Sequence, residues 1–331
     1  MSAHSPLRVR AFAEPSPSRH ASHSRSPRWL RGFIGIVWSQ MRIGNSLGIR
    51  RFLWRMARSP GATVGWLRTL EWLREATGVA TIPFNLVRKP GRHFLHHQLS
   101  YPTKVGLLTA HYQRLLATVG PSATGRLLEG QPFTIAAFQG KSTAYNLILA
   151  RNVRFCREGE IILDLKRADE DQPIATLSLV LGALSPGEPV DLWIGGLQGC
   201  KGDDSKRVTV ATTRDLWDLR PKDLMVAVAY QLKDILGASS LKAISNTGHI
   251  VMRPCAKVKK RIADYDAYWL ELGGAAVHDD FFSLPPERRI RLETDVLPAK
   301  RKAWRARRAL IADLEAQMSN FLLADVSGPI A

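Results

Sequence analysis

The spacing of hydrophobic residues changes twice along the chain. Between residue 28 and about residue 119 they recur every three to four positions, as in Leu30, Ile34, Val37 and Met41, which indicates helices. From residue 133 the spacing shifts towards two, which predicts strands over residues 133–138, 145–155, 160–166, 174–181 and 190–194. Helical spacing then returns and predicts helices over residues 207–216, 221–236 and 298–321, with a short strand over residues 241–245.

This order of helices, antiparallel strands, then helix and strand predicts an α+β fold with a mostly antiparallel sheet flanked by helices. We divide the chain into three regions. Residues 1–27 are a basic, Ser/Pro-rich tail that we expect to be disordered, because it has almost no large apolar residues. Residues 28–100 form a basic amphipathic helical region, and residues 101–325 form the α+β domain.

The charge of the chain predicts anionic partners. Lys and Arg number 47 against 29 Asp and Glu, a formal net charge of +18, which attracts nucleic acid, anionic headgroups or a small anionic ligand. The basic clusters carry no zinc-finger, helix-turn-helix or RNP signature, so specific nucleic-acid binding is not expected. Close pairs of zinc ligands such as C-x-x-C are also missing, and no metal is expected.

The compartment follows from three features of the sequence. No run of eighteen apolar residues could span a membrane, and the first 25 residues lack the apolar core of a secretory signal. The three cysteines, Cys156, Cys200 and Cys255, are odd in number and far apart, which favours a reducing compartment. We expect a cytoplasmic protein that can bind peripherally at the inner membrane.

Two interpretations of the basic helical region stay open. Apolar stripes with Phe33 and Trp38, flanked by arginines, suit the anionic surface of a membrane, where each arginine contributes about 1 kcal/mol. The same stripes could equally pack on the main body as a helical subdomain.

Two glycine-containing segments predict the functional site. In "GGLQG", Gly195, Gly196 and Gly199 allow positive φ angles and the close approach of a ligand, and Gln198 would be exposed between them. In "SNTGHI", Asn246 and His249 follow a strand. We therefore predict a polar cleft bordered by these residues. A purely structural turn and a solvated histidine are the alternatives.

The catalytic assignment rests on two residues. His249 could act as a general base near neutral pH. Asp266, in "DYDAYW", could orient it, although core packing explains the aromatic residues of that segment equally well.

Several collinear segments resemble one bacterial family. They are "IGGLQG" (residues 194–199), "LRPKDLMVAVAYQL" (219–232), "ISNTGHI" (244–250), "YDAYWLELGG" (265–274) and "LPAKRKAWRARR" (297–308), with "HY" (111–112) and "REGE" (157–160) upstream. Together they are similar to the VirK/YbjX family of Gram-negative bacteria, a domain of unknown function. The resemblance implies a role in cell-envelope integrity, virulence or tolerance of cationic antimicrobial peptides, with no established biochemistry.

An alternative function follows from the order of elements. Strand, Gly-containing loop, helix and strand after a meander is similar to the core of the GNAT acetyltransferases, which predicts an acyl or aminoacyl transferase with acyl-CoA as its cofactor. The sequence departs from that pattern: the family's Gln/Arg-x-x-Gly-x-Gly/Ala spacing is not kept after Gln198, and about twenty residues separate the loop from the helix. Whether the protein is an enzyme therefore stays open.

Overall fold

The computed structural model describes residue 54 and residues 56–185, 187–252, 264–277 and 280–324. The predicted tail, the stripe from Leu30 to Met41 and Cys255 lie outside these residues. The helices are α1 (Pro60–Thr77), α2 (Phe84–Val87), α3 (Tyr101–Leu128), α4 (Ser205–Asp215), α5 (Pro221–Ile235), α6 (Tyr265–Glu271) and α7 (Pro298–Ala324). The strands are β1 (Phe133–Gln139), β2 (Ala144–Arg151), β3 (Ile161–Arg167), β4 (Pro173–Gly182), β5 (Asp191–Gly199), β6 (Leu241–Ile244), β7 (Ala275–Val277) and β8 (Phe281–Ser283).

The strands form one sheet in the order β1-β2-β3-β4-β5-β6-β8-β7. Every neighbouring pair is antiparallel except β5 and β6, which are parallel and are connected through α4 and α5. The predicted α+β class and mostly antiparallel sheet are confirmed. Alternate residues of β4 face opposite sides of the sheet, and Leu177, Ser178 and Leu179 are all fully buried, so both faces of this strand are covered.

The N-terminal part of the described chain packs on the main body. Helix α1 buries Trp66, Leu67, Leu70 and Leu73 and lies against α3. The indole N–H of Trp66 donates to the carbonyl of Val87 at 2.9 Å. For residues 60–77 the structure therefore fits the packed-subdomain interpretation. Among the described helices, none combines the length and apolar character needed to cross a bilayer.

The glycine motif differs from its predicted form. We expected β5 to end at residue 194 and a loop to follow, but β5 continues to Gly199 and pairs with β4 along the way. The ladder is interrupted once, by a bulge at Gly195, where the register moves from Leu179–Ile194 to Ser178–Gly196. Neither Gly195, Gly196 nor Gly199 has a positive φ angle. A loop was wrongly predicted because glycines weaken a strand's sequence signal.

Candidate active site

The site begins where β5 loses its parallel neighbour. Strand β6 pairs with β5 only from Leu192 to Ile194 and ends at Ile244, so the edge of β5 beyond the bulge needs another partner. The hydroxyl of Tyr265 supplies it: this oxygen accepts from the Leu197 N–H at 3.1 Å and donates to the Leu197 carbonyl at 3.2 Å. A single side chain thus takes the place of a strand.

Glu158 fills the space beside the bulge. It lies at the end of a turn held by Asn152, whose side chain accepts from the Phe155 N–H and donates to the Phe155 carbonyl. A Cβ added to Gly195 would overlap the Glu158 backbone carbonyl, and one added to Gly196 would overlap the Glu158 carboxylate. The two glycines therefore leave room for the protein's own glutamate.

The Glu158 side chain is buried among neutral polar groups. Its carboxylate oxygens lie 3.4 and 3.5 Å from the Gln198 side-chain nitrogen, and the Ser178 hydroxyl lies 3.4 Å away. Burial raises the pKa of Glu158 to about 7, and the hydrogen bonds from Gln198 and Ser178 only partly oppose this. Near neutral pH this carboxyl group can both release and take up a proton.

His249 faces Glu158 from the opposite side. Its Nε2 lies 3.7 Å from a Glu158 carboxylate oxygen and has no hydrogen-bond partner within the described part of the chain. Because Nδ1 accepts from the Val251 N–H at 3.3 Å, we assign the proton of the neutral ring to Nε2, on the side of Glu158. Burial lowers the pKa of His249 to about 4, so the imidazole is neutral at physiological pH.

The structure brings most of the predicted site residues together. Gly195, Gly196 and Gln198 contact or border Glu158, and His249 lies across from them. Gln198 is partly exposed and Gly199 is open to its surroundings, so solvent approaches the cluster from this end of β5. The assignment of these residues to ligand binding stays a prediction.

Asn246 and Asp266 are hydrogen-bonded to each other at the start of α6. The Asn246 backbone N–H donates to the Asp266 carboxylate at 2.7 Å, and the Asn246 side-chain oxygen accepts from the Tyr265 N–H at 2.9 Å. These bonds fix the start of α6, and with it the Tyr265 hydroxyl. The carboxylate that faces His249 belongs to Glu158, whereas the sequence predicted Asp266 for this role.

Comparison with known proteins identifies the family. The family model described as "Protein of unknown function (DUF535)" matches residues 46–320. The chain belongs to this family. It is 25% identical over 303 residues to "Uncharacterized protein YbjX" of Escherichia coli (strain K12), covering 89% of this chain and 91% of that protein. The resemblance to the VirK/YbjX family is thereby confirmed. No solved structure matches the chain.

Glu158 was missed as a site residue. It lies in the segment "REGE", which contributes to the family resemblance. The available signal was its position next to Gly159, just before a buried strand. Residues 152–155 were predicted as the end of a strand, whereas β2 ends at Arg151. The turn that aims Glu158 at the bulge was therefore invisible in the pattern.

The segment between β5 and α4 does not resemble a phosphate-binding loop. The residues before α4 include Asp203 and the N-cap residue Asp204, both exposed, and Asp204 pairs with Arg207 at 3.0 Å. Carboxylates at a helix N-terminus disfavour a bound phosphate. No group of three His, Cys, Asp or Glu side chains within the described ranges could hold a metal ion.

Proposed function

We propose that this protein is an enzyme that transfers protons through Glu158, with a component of the cell envelope as its substrate. The observation that supports this is the buried pair of Glu158 and neutral His249. The pair lies beside the part of β5 that no longer pairs with β6, and solvent approaches it from the side of Gln198. A carboxyl group whose pKa is near 7 suits general acid–base catalysis at physiological pH.

The reaction class that fits best is acyl or aminoacyl transfer to an amine. In this scheme the Glu158 carboxylate takes a proton from the substrate ammonium group, and the free amine attacks the acyl carbon of the donor. The bond between the acyl carbon and the donor then breaks, the second proton of the nitrogen passes to the leaving group of the donor, and Glu158 releases its proton to solvent. The Nε2–H of His249 stabilises the carboxylate when it is ionised. Parallel strands that part after a bulge support this GNAT-like assignment, whereas the acidic start of α4 argues against a coenzyme A pyrophosphate at that position.

The envelope role comes from the family resemblance. From the basic helical region we further propose that the enzyme acts at the cytoplasmic side of the inner membrane, with residues 28–53, the part of that region before α1, as the membrane contact. Residues 28–53 lie outside the described part of the chain, and helix α1, which follows them, buries its apolar side chains in the protein.

The test is complementation in a strain that lacks its own copy of the gene. We expect the wild-type protein to restore tolerance of polymyxin B, and Glu158→Gln to behave like the empty vector because glutamine cannot transfer a proton. Glu170→Gln is the matched control, since Glu170 is exposed between β3 and β4. Thermal unfolding shows that each variant is folded.

Two results would overturn the proposal. Restoration by Glu158→Gln would remove the acid–base role. Failure of the wild-type protein to restore tolerance would remove the envelope role.

A further inference from the structure

A second polar site lies on the other side of the turn that carries Glu158. It is a pocket of about 340 Å³, including its open mouth, between the segment of α2 and the end of β2. Its charged and amide side chains are those of Asn85, Lys89, Arg92, Arg151, Asn152 and Arg157, with Glu160 at its inner end. We call it the Arg92–Arg151 pocket.

The only carboxylate among the lining residues is already neutralised. Glu160 forms an ion pair with Lys89 and accepts a hydrogen bond from the Tyr112 hydroxyl. Burial by itself would raise the pKa of Glu160, but Lys89 lowers it, so the pair is ionised and internally balanced. The positive charge of Arg92 and Arg151 has no carboxylate partner among the residues that line the pocket.

One arginine presents an unused donor. Arg151 is half-buried and donates through Nη1 to the Asn85 side-chain oxygen at 3.1 Å. Its Nε is buried and has no hydrogen-bond partner among the residues that the structure describes. A buried guanidinium N–H without an acceptor is unfavourable, and an anion in the pocket would satisfy it.

A neighbouring arginine supports the same conclusion. The Nε of Arg88, beside this pocket, is also buried and has no hydrogen-bond partner in the described part of the chain. Burial, and then the charge of Arg92, lower the pKa of the Arg88 guanidinium. Two arginines in this region, Arg88 and Arg151, thus each present a buried Nε–H without an acceptor among the described residues.

We propose that the Arg92–Arg151 pocket binds a phosphate-bearing group, either a soluble phosphomonoester or the headgroup of a phospholipid. Planar guanidinium groups match the oxygens of a phosphate, and a phosphomonoester carries close to two negative charges at neutral pH. The pocket is small and open to solvent, so a phosphate group would bind at its mouth, with the rest of the ligand outside the protein. This inference goes beyond the proposed function and does not rest on it.

The pocket is also connected to the candidate active site. Asn152 lines the pocket and donates to the Ser178 hydroxyl at 3.3 Å, and Ser178 in turn lies 3.4 Å from the Glu158 carboxylate. A phosphate in the pocket would thus be linked to the proton-transfer group through the side chains of Asn152 and Ser178.

The test measures binding of defined phosphate probes to the full chain. Calorimetric titration uses glycerol 3-phosphate and inorganic phosphate, with glycerol as the uncharged control at equal ionic strength. Sedimentation uses phosphatidylcholine vesicles with and without phosphatidic acid. We expect Arg92→Gln and Arg151→Gln to weaken binding about tenfold or more, because each removes a charge-assisted hydrogen bond.

Arg214→Gln is the matched control. Arg214 is exposed on α4, and its substitution changes the net charge by the same amount. We therefore expect Arg214→Gln to weaken phosphate binding less than about twofold. Should Arg151→Gln fail to fold, Arg92→Gln decides alone, because Arg92 is only half-buried at the pocket.

The outcomes separate the two sources. Pocket-dependent binding of glycerol 3-phosphate supports a soluble ligand, and pocket-dependent binding only of phosphatidic acid vesicles supports a headgroup. Absence of binding to every phosphate probe, or equal losses in all three arginine variants, would overturn the proposal.

Discussion

Glu158 and Glu160 are two buried glutamates, separated by one glycine, that face different environments. Glu160 is 1% exposed and contacts Lys89 and the Tyr112 hydroxyl, so its charge is balanced. Glu158 is 6% exposed and has only neutral groups within hydrogen-bonding distance, namely Gln198 and Ser178. One carboxylate is held ionised and the other is left close to its titration point.

The comparison shows that the partner, and not burial alone, decides what a buried carboxyl group can do. A buried ion pair with a satisfied hydrogen bond fixes the fold locally and has no proton to exchange at neutral pH. A buried carboxyl group without a cation has an unstable charge, which is unfavourable for folding but suits proton transfer. We therefore assign a structural role to Glu160 and propose the proton-transfer role for Glu158.

The largest expected effect concerns Glu160. Glu160→Gln leaves the buried Lys89 ammonium without its counter-charge and should lower the free energy of unfolding by about 3–5 kcal/mol. Lys89→Met should cost a similar amount for the converse reason. The double variant should lose much less than the sum, because both charges are then absent. Urea denaturation of the four proteins measures this cycle.

The exposed Glu170→Gln serves as control and should change the free energy by less than about 0.5 kcal/mol. Additive losses in the cycle would contradict the assignment of Glu160 to an internal ion pair.

The next effect concerns the pH dependence of stability at Glu158. Its folded pKa of about 7 lies above its ordinary value of 4.5, so the protonated carboxyl group favours folding. That contribution is fully present below pH 4.5 and is lost as the pH rises through 7. The shift corresponds to about 3 kcal/mol at most. Glu158→Gln should therefore be more stable than the wild type at pH 8 and nearly equal to it at pH 4.5.

The contribution of His249 to stability changes with pH in the opposite direction. Its folded pKa of about 4 lies below its ordinary value of 6.5, so stability is lost as the pH falls from 6.5 through 4. The wild type should thus be most stable between about pH 4.5 and 6.5, as measured by thermal unfolding across pH. A difference in stability between Glu158→Gln and the wild type that stays the same from pH 5 to pH 8 would be evidence against the raised pKa.

The sequence predicted the sheet better than the site. Regular alternation placed β1, β3 and β4 within one residue of their bounds, and Pro221 and Gly237 marked the two ends of α5, with Gly237 at a φ of 63°. Hydrophobic spacing reports burial on a repeating surface, and these elements are repeating surfaces. The same spacing cannot report a bulge or a turn.

The candidate site depends on such irregular features. Glu158 meets His249 only because Asn152 closes a turn after β2, and Tyr265 reaches β5 only because β6 is short. Residues distant in sequence meet there through backbone geometry that leaves no periodic signal. Gln198 and His249 were found because glycines lie beside them, whereas Glu158, although it precedes Gly159, lies in a charged segment after an arginine.

The smallest expected effect tests the two glycines that frame this comparison. Neither Gly195 nor Gly196 has a positive φ angle, so alanine brings no backbone strain, and any cost comes from the atoms that its Cβ meets. At Gly195 the Cβ meets the Glu158 backbone carbonyl and comes within 2.9 Å of Leu95, and neither can move freely. We expect Gly195→Ala to lower the free energy of unfolding by about 1–3 kcal/mol at any pH.

Gly196→Ala should act differently, because its Cβ meets the movable carboxylate of Glu158. The side chain can swing towards Gln198 and the solvent, which would return its pKa towards 4.5 and remove most of the stability that its protonated form contributes at pH 5. Urea denaturation at pH 5 and pH 8 separates the two variants: Gly195→Ala is destabilised equally at both, whereas Gly196→Ala is destabilised mainly at pH 5. An equal, pH-independent loss in both variants would mean that the glycines serve only the packing of the bulge and that Glu158 is not poised by its surroundings.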